Sequence, residues 1–214
     1  MVRTLFIWDI HGCYEELVEL YAKMWVNKND IIYSTGDIIN WWPSSFEVIQ
    51  FLFEHNIQPV LGNHEINFFR YIENDAPSKI QKPIFDELIE KLKGNIDLFH
   101  WLKNLPRYIE NADFLLVHAG LKPNVSLQEQ ELDDLTRIRL VDDAPWHKFY
   151  TGTKMLIYGH WAQQGLRFTK NTRWLDSGCM WGGHLTGYCL ETGDLWQVRA
   201  HTMYWEPDNW KGDK

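Results

Sequence analysis

The chain has 214 residues, 45% of them hydrophobic and 23% charged, a balance that excludes disordered, fibrous and collagen-like classes. Its formal charge of −8, from 29 acidic and 21 basic residues, argues against an extended nucleic-acid-binding surface. No apolar run approaches the roughly 20 residues needed to span a bilayer, and no signal-type segment opens the chain. Three cysteines are too few to staple a fold of this size. A single domain over residues 1–214, in a reducing cytoplasm and off the membrane, is the expectation, and 12 tryptophans are the compositional anomaly.

In chain order, Leu5 to Trp8 predicts a buried strand that ends in Asp9-Ile10-His11-Gly12. Tyr14 to Trp25 carries Leu17, Leu20, Tyr21 and Met24 at helical spacing. A second strand, Ile31 to Thr35, ends in Gly36-Asp37, and a second helix covers Phe46 to His55, with Ser44 and Glu47 spaced as a capping box behind Pro43. Pro59 to Leu61 then runs into Gly62-Asn63-His64-Glu65. This alternation predicts parallel βαβ units.

Residues from about 68 to 105 predict a small helical cap, punctuated by Pro77 and Pro83 and striped by Phe85, Leu88, Ile89 and Leu92. Beyond it, Phe114 to Val117 runs into His118-Ala119-Gly120, and Met155 to Tyr158 into Gly159-His160. Strand-like runs near Trp174, at Leu185 to Leu190 and at Leu195 to Arg199 predict a second, more antiparallel sheet.

Ligands gather at the carboxyl ends of strands in open α/β sheets. Those ends supply Asp9, His11, Asp37, Asn63, His64, His118 and His160, and four of the nine histidines lie within two residues of a glycine directly after an apolar run. Imidazoles with carboxylate and amide oxygens, and no thiolate, suit a divalent ion such as Mn, Fe or Zn. Six ligands with one shared carboxylate are enough for two ions, and phosphoester or phosphoanhydride hydrolysis is the chemistry such a pair performs well.

Taken in order, Asp9-Ile10-His11-Gly12, Gly36-Asp37, Gly62-Asn63-His64-Glu65, His118-Ala119-Gly120 and Gly159-His160 resemble the calcineurin-like metallophosphoesterases of the phosphoprotein-phosphatase type. Thr136-Arg137-Ile138-Arg139, Gly159-His160-Trp161-Ala162 and the run from Leu175 to Thr186 are most similar to the symmetrical bis(5′-nucleosyl)-tetraphosphatases within that superfamily. The resemblance implies an α/β sandwich of two mixed β-sheets flanked by helices. It implies two divalent ions, Mn²⁺ first and Fe, Zn or Co as alternatives. Asp9, His11 and Asp37 would hold the first, and Asp37, Asn63, His118 and His160 the second. A hydroxide between the metals would attack phosphorus, His64 would protonate the leaving oxygen, and Arg137 or Arg139 would grip phosphate.

The second motif departs from the family pattern, because Trp41 stands where a phosphate-binding arginine is usual and Asn40 where an aspartate often orients the histidine. Losing one such preorganised charge costs about 3–4 kcal/mol at the transition state. Arg70, with Arg137 or Arg139, would restore part of it, or Trp41 and Trp42 would stack a nucleobase. Cys179 reads as a small core hydrophobe. The substrate implied is a phosphorylated small molecule, diadenosine tetraphosphate cleaved to two ADP. A serine/threonine protein phosphatase is the alternative, and a metal-dependent nucleotide- or protein-binding module of low activity is a second.

Overall fold

A computed structural model of the chain describes residues 2–40, 44–73 and 82–205. The first part runs β1 (Thr4–Ile7), α1 (Tyr14–Lys23), β2 (Ile31–Ser34), α2 (Ser45–Glu54), β3 (Gln58–Pro59) and α3 (Asn63–Ile72). Helices α4 (Lys82–Lys93) and α5 (Ile96–Lys103) follow, then β4 (Tyr108–Glu110), β5 (Phe114–Val117), α6 (Leu132–Arg137), β6 (Leu140–Val141) and β7 (Ala144–Pro145). The chain continues through β8 (Met155–Tyr158), β9 (Arg167–Phe168), β10 (Thr172–Trp174), β11 (His184–Cys189) and β12 (Leu195–Arg199).

Two five-stranded mixed sheets result among the described residues, ordered β12-β11-β1-β2-β3 and β4-β5-β8-β10-β9, with β6 and β7 as a separate ribbon. Strands β1, β2 and β3 are parallel, as the βαβ pattern predicts, and β11 adds to β1 in antiparallel register. The second sheet departs from expectation. Its centre, β5-β8-β10, is parallel, with antiparallel pairs only at the edges β4 and β9. The excursion between β5 and β8 carries α6 and is long enough for the crossover that parallel pairing requires. The two C-terminal runs leave that sheet and complete the first, where β11 and β12 pair as a hairpin.

Side chains alternate across a strand, and this period of two decides the layers. In β1, Leu5 and Ile7 join the core under the helices, while Phe6 and the following Trp8 meet Phe114, Leu116 and Ile157 between the sheets. In the second sheet Leu115, Val117, Leu156 and Tyr158 face the other way, onto Trp146 and Trp174. Phe85, Leu88 and Leu92 of α4 extend the first core, where α4 and α5 pack against α2. Several tryptophans are therefore structural: Trp8, Trp146 and Trp174 are buried. The expected capping box of α2 does not form, since Ser44 makes no side-chain cap bond and Glu47 accepts a bond from Lys91 at 2.9 Å instead. No helix of the described residues is long and apolar enough to cross a membrane.

The start of β1 is anchored to the α1–β2 connection by Arg3, which donates to both carboxylate oxygens of Asp30 (2.5 and 3.2 Å) and to the carbonyls of Met24 and Trp25. Burial works against ionised Asp30, but Arg3 and the Asn27 amide outweigh it and hold its carboxyl below the usual carboxylate range. That stabilisation is present above about pH 4 and is lost as pH falls through the lower folded value. Asp30→Asn should therefore cost about 2 kcal/mol in urea unfolding at pH 7, with the gap from wild type closing below about pH 4. A gap that widens in acid would contradict this role.

Candidate metal centre

Every polar motif leaves the end of a strand on the same side of the two sheets. Asp9 and His11 follow β1, Asp37 follows β2, Asn63 and His64 open α3 beyond β3, His118 follows β5 and His160 follows β8. Backbone bonds stitch these loops in pairs: His11 N–H to Asp37 C=O at 2.8 Å, Gly12 N–H to Ile38 C=O at 3.0 Å, and Gly159 N–H to His118 C=O at 2.7 Å. The Trp8 indole N–H donates to the Tyr158 carbonyl at 2.7 Å and ties one sheet to the other beside the site.

His11, Asp37 and His160 have φ of +50°, +48° and +76°, left-handed values that cost non-glycine residues energy and cluster where function over-determines the backbone. The motif glycines are needed for close approach. A Cβ on Gly62 would lie 2.2 Å from Asp37 Oδ1, and one on Gly159 would lie 2.3 Å from Asp9 Oδ1.

Asp37 is the hub. Its Oδ2 lies 3.3 Å from His118 Nε2, 3.8 Å from His64 Nε2 and 3.9 Å from His11 Nε2. Burial opposes its charge, yet those three imidazoles hold its carboxyl well below the usual range. The ring of His118 donates from Nδ1 to the Thr35 carbonyl at 2.8 Å, which turns Nε2 towards Asp37 and towards Asn63 Oδ1 at 3.1 Å. Burial pulls His118 down, but the Asp37 and Asp9 carboxylates and Thr35 raise it to about 10, the mark of a nest of lone pairs that favours positive charge. A divalent cation satisfies the same lone pairs, and the donor set fits one.

Around the hub, Asp37 groups compactly with His11 and His64, and again with His118 and His160. His11 Nδ1 is buried without a hydrogen-bond partner. Asp9 stands one step back, accepting from Thr35 Oγ1 and from the His160 amide, each at 2.6 Å. Burial is the main reason His64 falls to about 3, with Asp37 opposing and the other imidazoles reinforcing; burial and His118 likewise pull His160 well down.

Three residues that strand-end reasoning passed over complete the arrangement. Thr35 supplies a carbonyl to His118 and a hydroxyl to Asp9. Asp176, after β10, is buried beside Asp9; burial first, then the Asp9 carboxylate, push it well above the usual range. Glu65 is buried with its carboxylate against four backbone amides, those of Asp37, Ile38, Ile39 and Gly62, at 2.9–3.2 Å. Its spacing was legible, because Glu three residues past a helix N-cap is half of a capping box, although Gly62 has no side chain to complete it.

The donors open into a cavity of about 210 Å³, walled by His11, Asp37, Asn63, His64 and His160 on one side and by Arg139, Asp176, Met180, Trp181 and Trp205 on the other. The model of the calcineurin-like phosphoesterases matches residues 2–204. This chain belongs to the calcineurin-like phosphoesterase family. Relatives from Neisseria meningitidis serogroup A (27% identical, 91% of this chain and 94% of theirs) and Cellvibrio japonicus (28%, 92% and 98%) are named symmetrical bis(5′-nucleosyl)-tetraphosphatases. The first alignment runs over 262 positions, so that relative carries segments this shorter chain lacks. A solved structure provisionally described as a diadenosine tetraphosphatase matches with a TM-score of 0.77 at 25% identity, over 93% of this chain and 94% of that one. A Sphaerobacter thermophilus metallophosphoesterase shares the fold (TM-score 0.59, 15% identity, 92% and 88% covered).

Membership makes the protein a phosphohydrolase of a family that implies divalent metal ions. Within this phosphoesterase the two candidate arginines separate. Arg139 lines the cavity, 5.9 Å over the Trp161 ring, with the Asp176 and Asp37 carboxylates near enough to act on its charge. Arg137 is instead held by Asn67 Oδ1 at 2.8 Å and Asp133 at 3.4 Å. Arg70 is not brought to the cavity: it is exposed in the last turn of α3, seven residues and about 10 Å along the axis from Asn63. Asn40 is buried against His64, its amide nitrogen 2.6 Å from Nδ1, so it donates where an acceptor was expected. Trp41 and Trp42 lie outside the described residues.

Glu65→Gln should misplace the Asp37 loop of the phosphoesterase, since an amide NH₂ would face backbone N–H groups in a buried site. We expect a loss of about 2–3 kcal/mol in unfolding free energy and Mn²⁺ affinity, by calorimetry, weakened about 10- to 100-fold. Unchanged metal affinity would show that the clamp does not position Asp37.

Proposed function

We propose that this phosphoesterase hydrolyses dinucleoside polyphosphates symmetrically, diadenosine tetraphosphate giving two ADP. Convergence of the Asp37-centred donors with Arg139 and two indoles in one cavity carries this reading, and the names of the relatives that cover nearly the whole chain support it. Asp9, His11 and Asp37 would hold one divalent ion, and Asp37, Asn63, His118 and His160 a second. Mn²⁺ is the first choice, because mixed imidazole, carboxylate and amide donors suit it, while Fe, Zn or Co fit the same set. Bound there, the ions supply Lewis-acid polarisation of the phosphoryl oxygens and a water acidified towards neutral pH.

The chain's own residues do the rest. Arg139 offers a planar fork to non-bridging phosphate oxygens, replacing the guanidinium expected at position 41. With Arg139 in that role, the departure at position 41 no longer favours a binding module without turnover. Asn40 donates to His64 Nδ1, so the neutral ring carries its proton on Nε2, which faces Asp37 and the cavity. From there the Nε2–H donates a hydrogen bond to the leaving phosphate oxygen and stabilises its developing charge, the ring keeping its proton. Trp181 and Trp205 offer indole faces on which a nucleobase stacks, worth about 1–3 kcal/mol per base. A phosphoprotein substrate would leave those faces unused.

Incubation with Mn²⁺ and diadenosine tetraphosphate, with products separated by chromatography, should yield ADP alone. AMP with ATP, or turnover of phosphopeptides without turnover of the dinucleotide, would overturn the assignment. Arg139→Ala should lower kcat/KM for the dinucleotide 10²- to 10³-fold, and Arg137→Ala less than tenfold. The reverse order would transfer the phosphate-gripping role to Arg137.

A further inference from the structure

A second set of donors converges outside the Asp37 centre. Cys13 is the N-cap of α1 and Glu16 its third residue, positions whose side chains meet in a capping box. Cys13 makes no side-chain cap bond there. Cys179 opens the short turn Cys179–Trp181 and arrives from the opposite side. One donor atom from each of Cys13, Glu16 and Cys179 lies within 4.8 Å of the other two. All three residues are buried, at 0%, 0% and 2% exposure, and both thiols are free.

The deciding atom is Glu16 Oε2. Its partner oxygen, Oε1, accepts the His201 amide at 2.8 Å and the Tyr204 hydroxyl at 2.5 Å, whereas Oε2 is buried with no hydrogen-bond partner. A carboxylate oxygen sealed from water without a donor is costly. Here it is sealed beside two sulfurs, whose S–H groups are only weak donors, and a cation that accepts both oxygen and sulfur satisfies all three atoms together.

We propose that Cys13, Cys179 and Glu16 form a separate metal site that takes one zinc-class divalent ion through two thiolates and a carboxylate oxygen. Thiolate donors select zinc over the harder ions that suit the imidazole and oxygen set around Asp37, so the two sites differ in metal preference. Binding displaces the two thiol protons to solvent. The site joins three segments: α1, two residues beyond His11; the turn whose Met180 and Trp181 wall the cavity; and the stretch from His201 to Tyr204 held by Glu16. Its work is to fix those walls relative to one another, independently of turnover.

Cobalt tests this on the full chain. Metal-stripped wild-type protein titrated with Co²⁺ should develop the near-ultraviolet thiolate-to-cobalt charge-transfer band that nitrogen and oxygen donors cannot give. Zinc-loaded protein should show a sulfur shell at about 2.3 Å in X-ray absorption. The band should survive Asp37→Asn, which disables the other centre, and should be lost in Cys179→Ser. Since the wild-type chain carries the primary readout, a Cys179→Ser variant that fails to fold leaves the test intact. Absence of both signals in folded wild-type protein, loss of the band in Asp37→Asn, or a Cys13–Cys179 disulfide in the native, unreduced protein would overturn the proposal. None of these readouts depends on phosphoesterase activity, so failure of the dinucleotide assignment would not register here.

Discussion

An ionised carboxylate buried at 2% exposure is the constraint around which this molecule is arranged. Asp37 would lose its charge in such surroundings but for three imidazoles that converge on one of its oxygens and the His64 amide, which donates to the other at 3.0 Å. Bringing those groups within reach needs a left-handed backbone at Asp37 itself and a glycine at 62 that leaves room for its Oδ1. Glu65, fixed by four amides of the same loop, prevents the loop from relaxing. The arrangement stores local backbone strain at His11, Asp37 and His160.

Strain of this kind persists only where the surroundings are rigid. Rigidity comes from the two sheets meeting through Phe6, Trp8, Phe114, Leu116 and Ile157, and from the Trp8 indole bond that joins β1 to the end of β8. Loops leaving β1 and β2 are stitched to each other by two backbone bonds, and those leaving β5 and β8 by one. Donors from five strand ends are therefore held by continuation of the sheet hydrogen bonding rather than by flexible loops.

The chain beyond α6 contributes as much to the cavity as the ligand motifs do. Arg139, Asp176, Met180, Trp181 and Trp205 form the wall opposite the imidazoles. The backbone amides of Tyr204 and Trp205 both donate to the Met180 carbonyl, which fixes Trp205 over the site. An excess of tryptophan thus divides into two physical roles: Trp8, Trp146 and Trp174 fill cores, with Trp161 packed against Trp174, while Trp181 and Trp205 line a polar cavity with large, stiff apolar surface. Cys179, which reads as core filler from its neighbours in the chain, is buried in the first core and there also meets Cys13 and a buried carboxylate.

The sequence by itself determined the strand ends, the order of the donor motifs and the family, because an apolar run followed by Gly, Asp and His is a local signal in contiguous residues. It also carried the spacing that makes Glu65 a helix-start clamp. Only the tertiary structure decided which arginine of a near-identical pair reaches the cavity, since Arg137 and Arg139 differ in partners from α3 and α6, not in sequence context. It alone excluded Arg70, which shares a helix with Asn63 but lies two turns away, and it reversed the polarity of the Asn40–His64 contact. Strand pairing was equally invisible: a run of apolar residues is silent on whether its partner is parallel or antiparallel, and the last two strands joined the first sheet through register set by β1. Convergence of side chains from distant segments is a property of packing, and no single stretch of sequence encodes it.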